Sequence, residues 1–143
     1  MFELEDCVSY VATNASKDLI DGFDRKLKNH GITRVQWTAL YYIGKYQQIN
    51  QKQLSTLMRI KESSTTGLVD RMVKEGFIKK KLNHYNRREM LLFLTQKGEK
   101  LRSDSIHLGQ EYSDFISQGI KLEDLSTFFM VLDKMKDNAN MQE

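Results

Sequence analysis

Proline is absent from this 143-residue chain, so no position kinks or ends a helix for want of a backbone N–H. Cysteine occurs once, as Cys7, which excludes an internal disulfide and suits a reducing compartment. Long apolar runs are also missing. Wholly apolar stretches such as MLLFL (90–94) reach five residues, against the roughly 20 that a membrane span needs. The opening MFELEDCVSY is acidic where a signal peptide is basic, so a cytoplasmic, nucleoid-associated protein with no membrane partner is expected. No GxSxG, phosphate-binding loop or dinucleotide fingerprint occurs, which argues against an enzyme and names no catalytic residue. His30, His84 and His107 are scattered, without an HxxxH pair or a cysteine cluster, so neither a metal nor another cofactor is expected.

What is present is helical periodicity punctuated by glycine. Val8, Val11, Ala12, Ala15, Leu19, Phe23 and Leu27 recur at spacings of three and four, a long amphipathic helix ended by Gly31. Thr33 is placed to cap a second helix, with Trp37, Leu40 and Tyr41 on one face and Gly44 near its end. A short helix from Gln51 to about Met58 follows, with Leu54, Leu57 and Met58 as its stripe. KESSTT then supplies hydroxyl caps for a helix carrying Leu68, Val69, Met72 and Val73, stopped by Gly76.

The pattern next becomes extended. FIKKKL (77–82) and MLLFL (90–94) read as strands joined by the polar, basic loop NHYNRRE. Thr95 caps one long helix with Leu101, Leu108, Tyr112, Phe115 and Ile116 in its stripe, broken by Gly119. A last amphipathic helix carries Leu122, Leu125, Phe128, Phe129, Leu132 and Met135, before a polar tail, DNANMQE, expected to fray.

Charge is uneven along this order. Residues 51–100 hold twelve Lys/Arg against five Asp/Glu, whereas the rest holds ten against fourteen. A basic middle between acidic ends suits a polyanion, though a solvated basic face gives the same count. Position favours the first reading. Two helices joined by a tight turn and followed by a basic-tipped hairpin form a winged helix-turn-helix, the second helix of which fits a DNA major groove. Its N-terminal residues Ser63, Ser64, Thr65 and Thr66, with Lys61 before them, are candidates for phosphate or base contact. Arg71 and Lys74 can reach the backbone, and Arg87 and Arg88 at the hairpin tip can enter the minor groove, beside Asn86.

GITRVQWTALYYI, QLSTLMRIKESSTTGLVDRMVKEGFIKK and NRREMLLFLTQKGEKL, in this order, resemble the MarR (multiple-antibiotic-resistance regulator) family over roughly residues 31–101. The resemblance implies a mainly α fold with a small β-hairpin wing. It implies one domain: a DNA-binding lobe over about 31–100, with dimerisation helices in about 1–30 and 101–143. It further implies a homodimer that reads a pseudo-palindromic operator in double-stranded DNA as a ligand-responsive repressor. Two positions depart from the family pattern. Asn86 stands where an Asp usually precedes the wing arginine, losing an ion pair. Gly67 stands where a longer, often basic residue is common, removing a possible base reader and costing about 1 kcal/mol of helix propensity.

Members of such a family often bind a small phenolic or apolar effector, for which Tyr10, His30, Trp37 and Tyr41 are candidates; core packing is the competing use of the last two. Cys7 is a candidate redox residue, although Glu3, Glu5 and Asp6 oppose thiolate formation there. The alternative function is a winged-helix protein-interaction module without specific DNA binding, for which an acidic or apolar wing would be the sign.

Overall fold

The computed structural model describes residues 1–141. By their contacts they group into two units, Met1–Tyr112 and the segment beginning at Ser113. After a 3-10 turn at Leu4–Asp6, the first unit contains α1 (Val8–Lys28), α2 (Arg34–Lys45), β1 (Ile49–Asn50), α3 (Gln51–Met58), α4 (Glu62–Lys74), β2 (Ile78–Leu82), β3 (Met90–Leu94), α5 (Gln96–Ser105) and the first part of α6 (His107–Ile116). The second unit contains the end of α6 and α7 (Leu122–Asn140). This is a mainly helical winged-helix fold with a three-stranded antiparallel sheet in the order β1-β3-β2.

Local chemistry sets most element ends. Thr33 accepts from Gln36 N–H at 3.2 Å while the Gln36 side chain accepts from Thr33 N–H, a reciprocal box that starts α2. Asn50 and Gln53 form the same box at the start of α3. Gly31 and Gly76 take φ of 72° and 84°, the left-handed geometry that lets the chain leave α1 and α4.

The core is made where these helices meet the sheet. Leu27, Leu40, Leu54, Val69, Met72, Ile78, Leu92 and Leu108 are almost wholly buried, each side chain contributing about 1.5–3 kcal/mol of transfer free energy. β3 is the central strand: Leu92 faces Ile49 on one side and Lys80 on the other. β1 was not legible as a strand in the sequence, because two residues carry no periodicity.

Three sequence expectations need correcting. The hydroxyls of KESSTT do not cap α4: Lys61 occupies the cap position without a side-chain bond, and the hydroxyls lie inside the helix. The helix after Thr95 is interrupted at Ile106. Trp37 inserts there, its indole N–H donating to the Ser105 carbonyl at 2.8 Å, and Gly109 lies so close that a Cβ would be 2.7 Å from the ring. A side chain that takes a carbonyl out of the i→i−4 ladder is a common cause of a helix break. Lastly, within the tail expected to fray, α7 continues to Asn140, while positions 142–143 lie outside the described residues.

The apolar stripe of α1 also divides. Leu27 is buried and Phe23 packs edge-on to Trp37 at 5.1 Å, whereas Val8, Val11 and Leu19 are about half exposed. In the second unit, α7 exposes Phe128 (54%), Phe129 (61%) and Met130 (71%).

Candidate nucleic-acid interface

The turn between α3 and α4 is fixed by backbone geometry. Arg59 takes a left-handed conformation (φ 56°, ψ 41°) after α3, and Ile60 N–H donates to Ser55 O while Arg59 N–H donates to Thr56 O. This is a Schellman-type ending. A non-glycine residue in that region costs about 1–2 kcal/mol, which the half-buried Ile60 offsets by packing against the core. The direction of α4 follows from this turn.

α4 has two faces. Leu68, Val69 and Met72 are buried. Lys61, Ser63, Ser64, Thr66, Arg71 and Lys74 are exposed, giving a surface of hydroxyls at the N-terminal end and cations at the C-terminal end. Thr65 is not part of that surface. It is 0% exposed, and its hydroxyl donates to Lys61 O at 3.1 Å. Its place was legible, since positions 65, 68, 69 and 72 share one helical face. Thr66 is exposed but engaged: its hydroxyl donates to Glu62 O at 3.0 Å and accepts from Gln51 Nε2 at 2.6 Å. Gly67 leaves a gap, with nothing within 4 Å of a Cβ built there.

The wing carries the remaining cations. Arg87 and Arg88 are exposed at the β2–β3 tip, and among the described residues neither forms a salt bridge. Asn86 shapes the tip rather than the guanidinium: its Oδ1 accepts from the Arg88 backbone N–H at 3.2 Å. Lys80 is tied to Asp70 at 3.0 Å, joining β2 to α4.

Glu89 is a neighbour of the wing arginines that the sequence reading passed over. Its carboxylate accepts from Asn50 Nδ2 and, at 2.6 Å, from Asn83 Nδ2. These two bonds, Asn50 first, hold its pKa below the ordinary carboxylate value. The one available signal was an acid adjoining two arginines in a basic loop.

The effector candidates are only partly assembled. Trp37 and Tyr41 stack at 6.3 Å, but Trp37 serves the helix break and Tyr41 Oη accepts from Lys45 Nζ at 3.4 Å. That bond to Tyr41 raises the Lys45 pKa. Tyr10 is exposed on α1, and His30 is exposed beyond it, with Nδ1 3.0 Å from Lys26 O. An open groove of about 680 Å3 is lined instead by residues of the β1–α3 region, including Tyr46, Ile49, Lys52, Gln53 and Leu57.

Cys7 is the residue before α1, half-buried, with Sγ 3.3 Å from Ser9 Oγ. Hydrogen bonds from the Ser9 hydroxyl and then the Tyr10 backbone lower its pKa, against the direction expected from its acidic neighbours. His107 and Lys26 converge on Glu111 at 3.5 Å and 2.9 Å, and the Lys26 bond lowers the Glu111 pKa.

Comparison with known proteins agrees with this geometry. Residues 32–90 match the model of the MarR family. The HTH-type transcriptional regulator BilQ of Clostridium symbiosum (strain WAL-14163) is 26% identical over 132 residues, covering 92% of each chain. BilQ of Clostridioides difficile (strain CD3) is 27% identical over 115 residues, covering 75% of this chain and 78% of that protein. Among solved structures, a MepR–DNA complex from S. aureus superposes with a TM-score of 0.85 at 18% identity, covering 94% and 98% of the two chains. Bordetella bronchiseptica BpsR, described with regulation of its DNA binding by 6-hydroxynicotinic acid, gives 0.87 at 15% identity over 96% and 98%. At such identities the structures speak for the fold.

Proposed function

We propose that the chain is a regulator of the MarR family that grips an operator with the exposed face of α4 and the Arg87–Arg88 wing. It is a DNA-binding transcriptional regulator. The observation that carries the proposed contacts is the pairing of two features in one compact unit: a helix with outward hydroxyls and cations, and a hairpin tip with two arginines that form no salt bridge among the described residues. The helix supplies groups for the major groove and the tip supplies guanidinium for the minor groove. Ser63 and Ser64 are the candidate base or phosphate contacts, and Lys61, Arg71, Lys74, Arg87 and Arg88 the candidate phosphate and minor-groove contacts. Asn86 acts through the shape of the tip.

The protein acts as a homodimer on a pseudo-palindromic site, as a repressor that releases DNA when a small phenolic or apolar effector binds. Support for the dimer comes from the apolar side chains that α1 and α7 each leave exposed, a state that soluble proteins tend to cover. Residues 1–30 and 101–143 are the proposed dimerisation elements. BpsR, with DNA binding regulated by 6-hydroxynicotinic acid, supports an effector of that class. An effector weakens operator affinity only by its differential affinity for the two states of the dimer. No helix among the described residues is long and apolar enough to cross a membrane, and the proposed site of action is the cytoplasmic nucleoid. The relatives matched are transcriptional regulators rather than enzymes.

The test is fluorescence anisotropy with a labelled duplex from the DNA upstream of the protein's own gene, beside a scrambled duplex and a salt series, with the protein's mass from light scattering. Saturable binding by a dimer, about a thousandfold tighter than to scrambled DNA, is expected. If that duplex shows no preference, genome-wide site selection follows. Selection without an enriched sequence would overturn DNA regulation in favour of the interaction-module reading.

A further inference from the structure

We propose that Glu89 is a positioning residue for DNA binding: it locks the arginine-bearing wing to the N-terminus of α3, and through α3 to the recognition helix. This rests on the DNA-binding reading. A carboxylate beside Arg87 and Arg88 lies in the part of the molecule that should face phosphates, where a negative charge by itself weakens binding. Its geometry gives it another use.

All four hydrogen-bonding groups of Glu89 are engaged. Its backbone N–H donates to Asn86 O at 3.0 Å and its carbonyl accepts from Asn83 N–H at 3.0 Å, which closes the wing turn. Its two carboxylate oxygens accept from Asn83 Nδ2 and Asn50 Nδ2. Asn50 is at the same time the cap of α3, with Oδ1 accepting from Gln53 N–H at 2.7 Å. The next residue, Gln51, donates from its side chain to Thr66 of α4 at 2.6 Å. A continuous path therefore runs from the wing turn through Glu89, Asn50 and Gln51 to the exposed side of α4. Hydrogen bonds to an ionised acceptor are roughly twice as strong as neutral ones, so a carboxylate holds this junction better than an amide. Helix and wing are thereby presented to adjacent grooves at one fixed spacing.

The Asn50–Glu89 pair can be reversed chemically, and that provides the test. Asn50→Asp keeps the cap on α3, because aspartate caps as well as asparagine, but puts two carboxylates face to face. Glu89→Gln puts two amide groups face to face. In the double variant the new glutamine donates to the new aspartate and still accepts from Asn83, so every group is satisfied and the net charge is that of the wild type.

The full-length protein is measured on a duplex obtained by site selection, alongside hydrogen exchange of wing amides 84–88 without DNA. Each single variant is expected to weaken binding and speed wing exchange about tenfold, the effect of losing one charge-assisted hydrogen bond. The double variant is expected to return within about threefold of wild type, as a reconstituted pair should. Simple electrostatics predicts the opposite sign for Glu89→Gln, because removing a negative charge tightens DNA binding. Unchanged or tighter binding by Glu89→Gln overturns the proposal, and so does a double variant no better than the singles. Wild-type protein that does not prefer the selected duplex would instead sink the DNA-binding reading, while wing exchange still judges the lock itself.

Discussion

Replacing Gly67 with alanine should stabilise this protein, and the same change at Gly98 should damage it. Gly67 is an interior residue of α4, and a Cβ there meets nothing within 4 Å. The added methyl therefore neither clashes nor gains a contact. What remains is the helix propensity difference between glycine and alanine, about 1 kcal/mol in favour of the variant. For a chain of this length that is a rise of about 3 °C in Tm. Gly98, in the first turn of α5, is the internal opposite. A Cβ there would stand 2.0 Å from the Phe77 carbonyl oxygen, which also accepts the Thr95 N–H at 3.0 Å. Backbone cannot yield as a side-chain end can, so a loss of about 1–3 kcal/mol or more is expected from overpacking. Thermal melts followed by circular dichroism would measure both variants at one protein concentration, because the Tm of the proposed dimer depends on concentration. Urea titrations would check that the m-value is unchanged. A Tm for Gly67→Ala at or below wild type would refute the reasoning, since it would require a neighbour that the structure does not place there.

Arg88→Ala should weaken operator binding and lower the salt slope by about one phosphate-equivalent, measured by anisotropy across a salt series; an unchanged slope removes this arginine from backbone contact. Ser64→Ala should shift relative affinities among operator variants by about 1–3 kcal/mol if the hydroxyl reads a base. Thr65→Ala, in contrast, should leave those relative affinities alone and destabilise the fold by about 1 kcal/mol, because its buried hydroxyl serves Lys61 O. The lowered pKa of Glu89 sets a pH dependence: its contribution to wing stability is full above the ordinary carboxylate value of 4.5 and is lost as pH falls through the lower folded value. Exchange protection of wing amides should therefore fall in that acid range in the wild type and stay flat there in Glu89→Gln. Phe128→Glu with Phe129→Glu should shift light-scattering mass from dimer toward monomer; an unaltered mass would exclude α7 from the interface.

How much of this was legible depended on whether the cause was local. α3 begins and ends at Gln51 and Met58 as its stripe implies, and the expected capping residues Thr33 and Thr95 act within three residues of themselves. The wing strands were visible because polar turn residues separate two β-rich runs. The α5–α6 break was hidden because its cause, Trp37, lies 68 residues away in sequence from the carbonyl it captures. Glu89 was hidden for the same reason: its partner Asn50 is 39 residues distant. Thr65 was misplaced through reading residue type ahead of helical phase.

With α4 as the proposed reading helix, the run Thr65–Gly67 also limits how much sequence it can tell apart. One hydroxyl is buried, the next is held by Gln51 and Glu62, and the third position has no side chain, so three successive places on the reading helix contribute little discrimination. On the proposed dimer, each half-site then carries little information, and selectivity accumulates from the repetition of two half-sites at fixed spacing and from the deformability of the DNA between them. A regulator built this way tolerates substitutions at individual bases of its sites while rejecting a change of a single base pair in their separation.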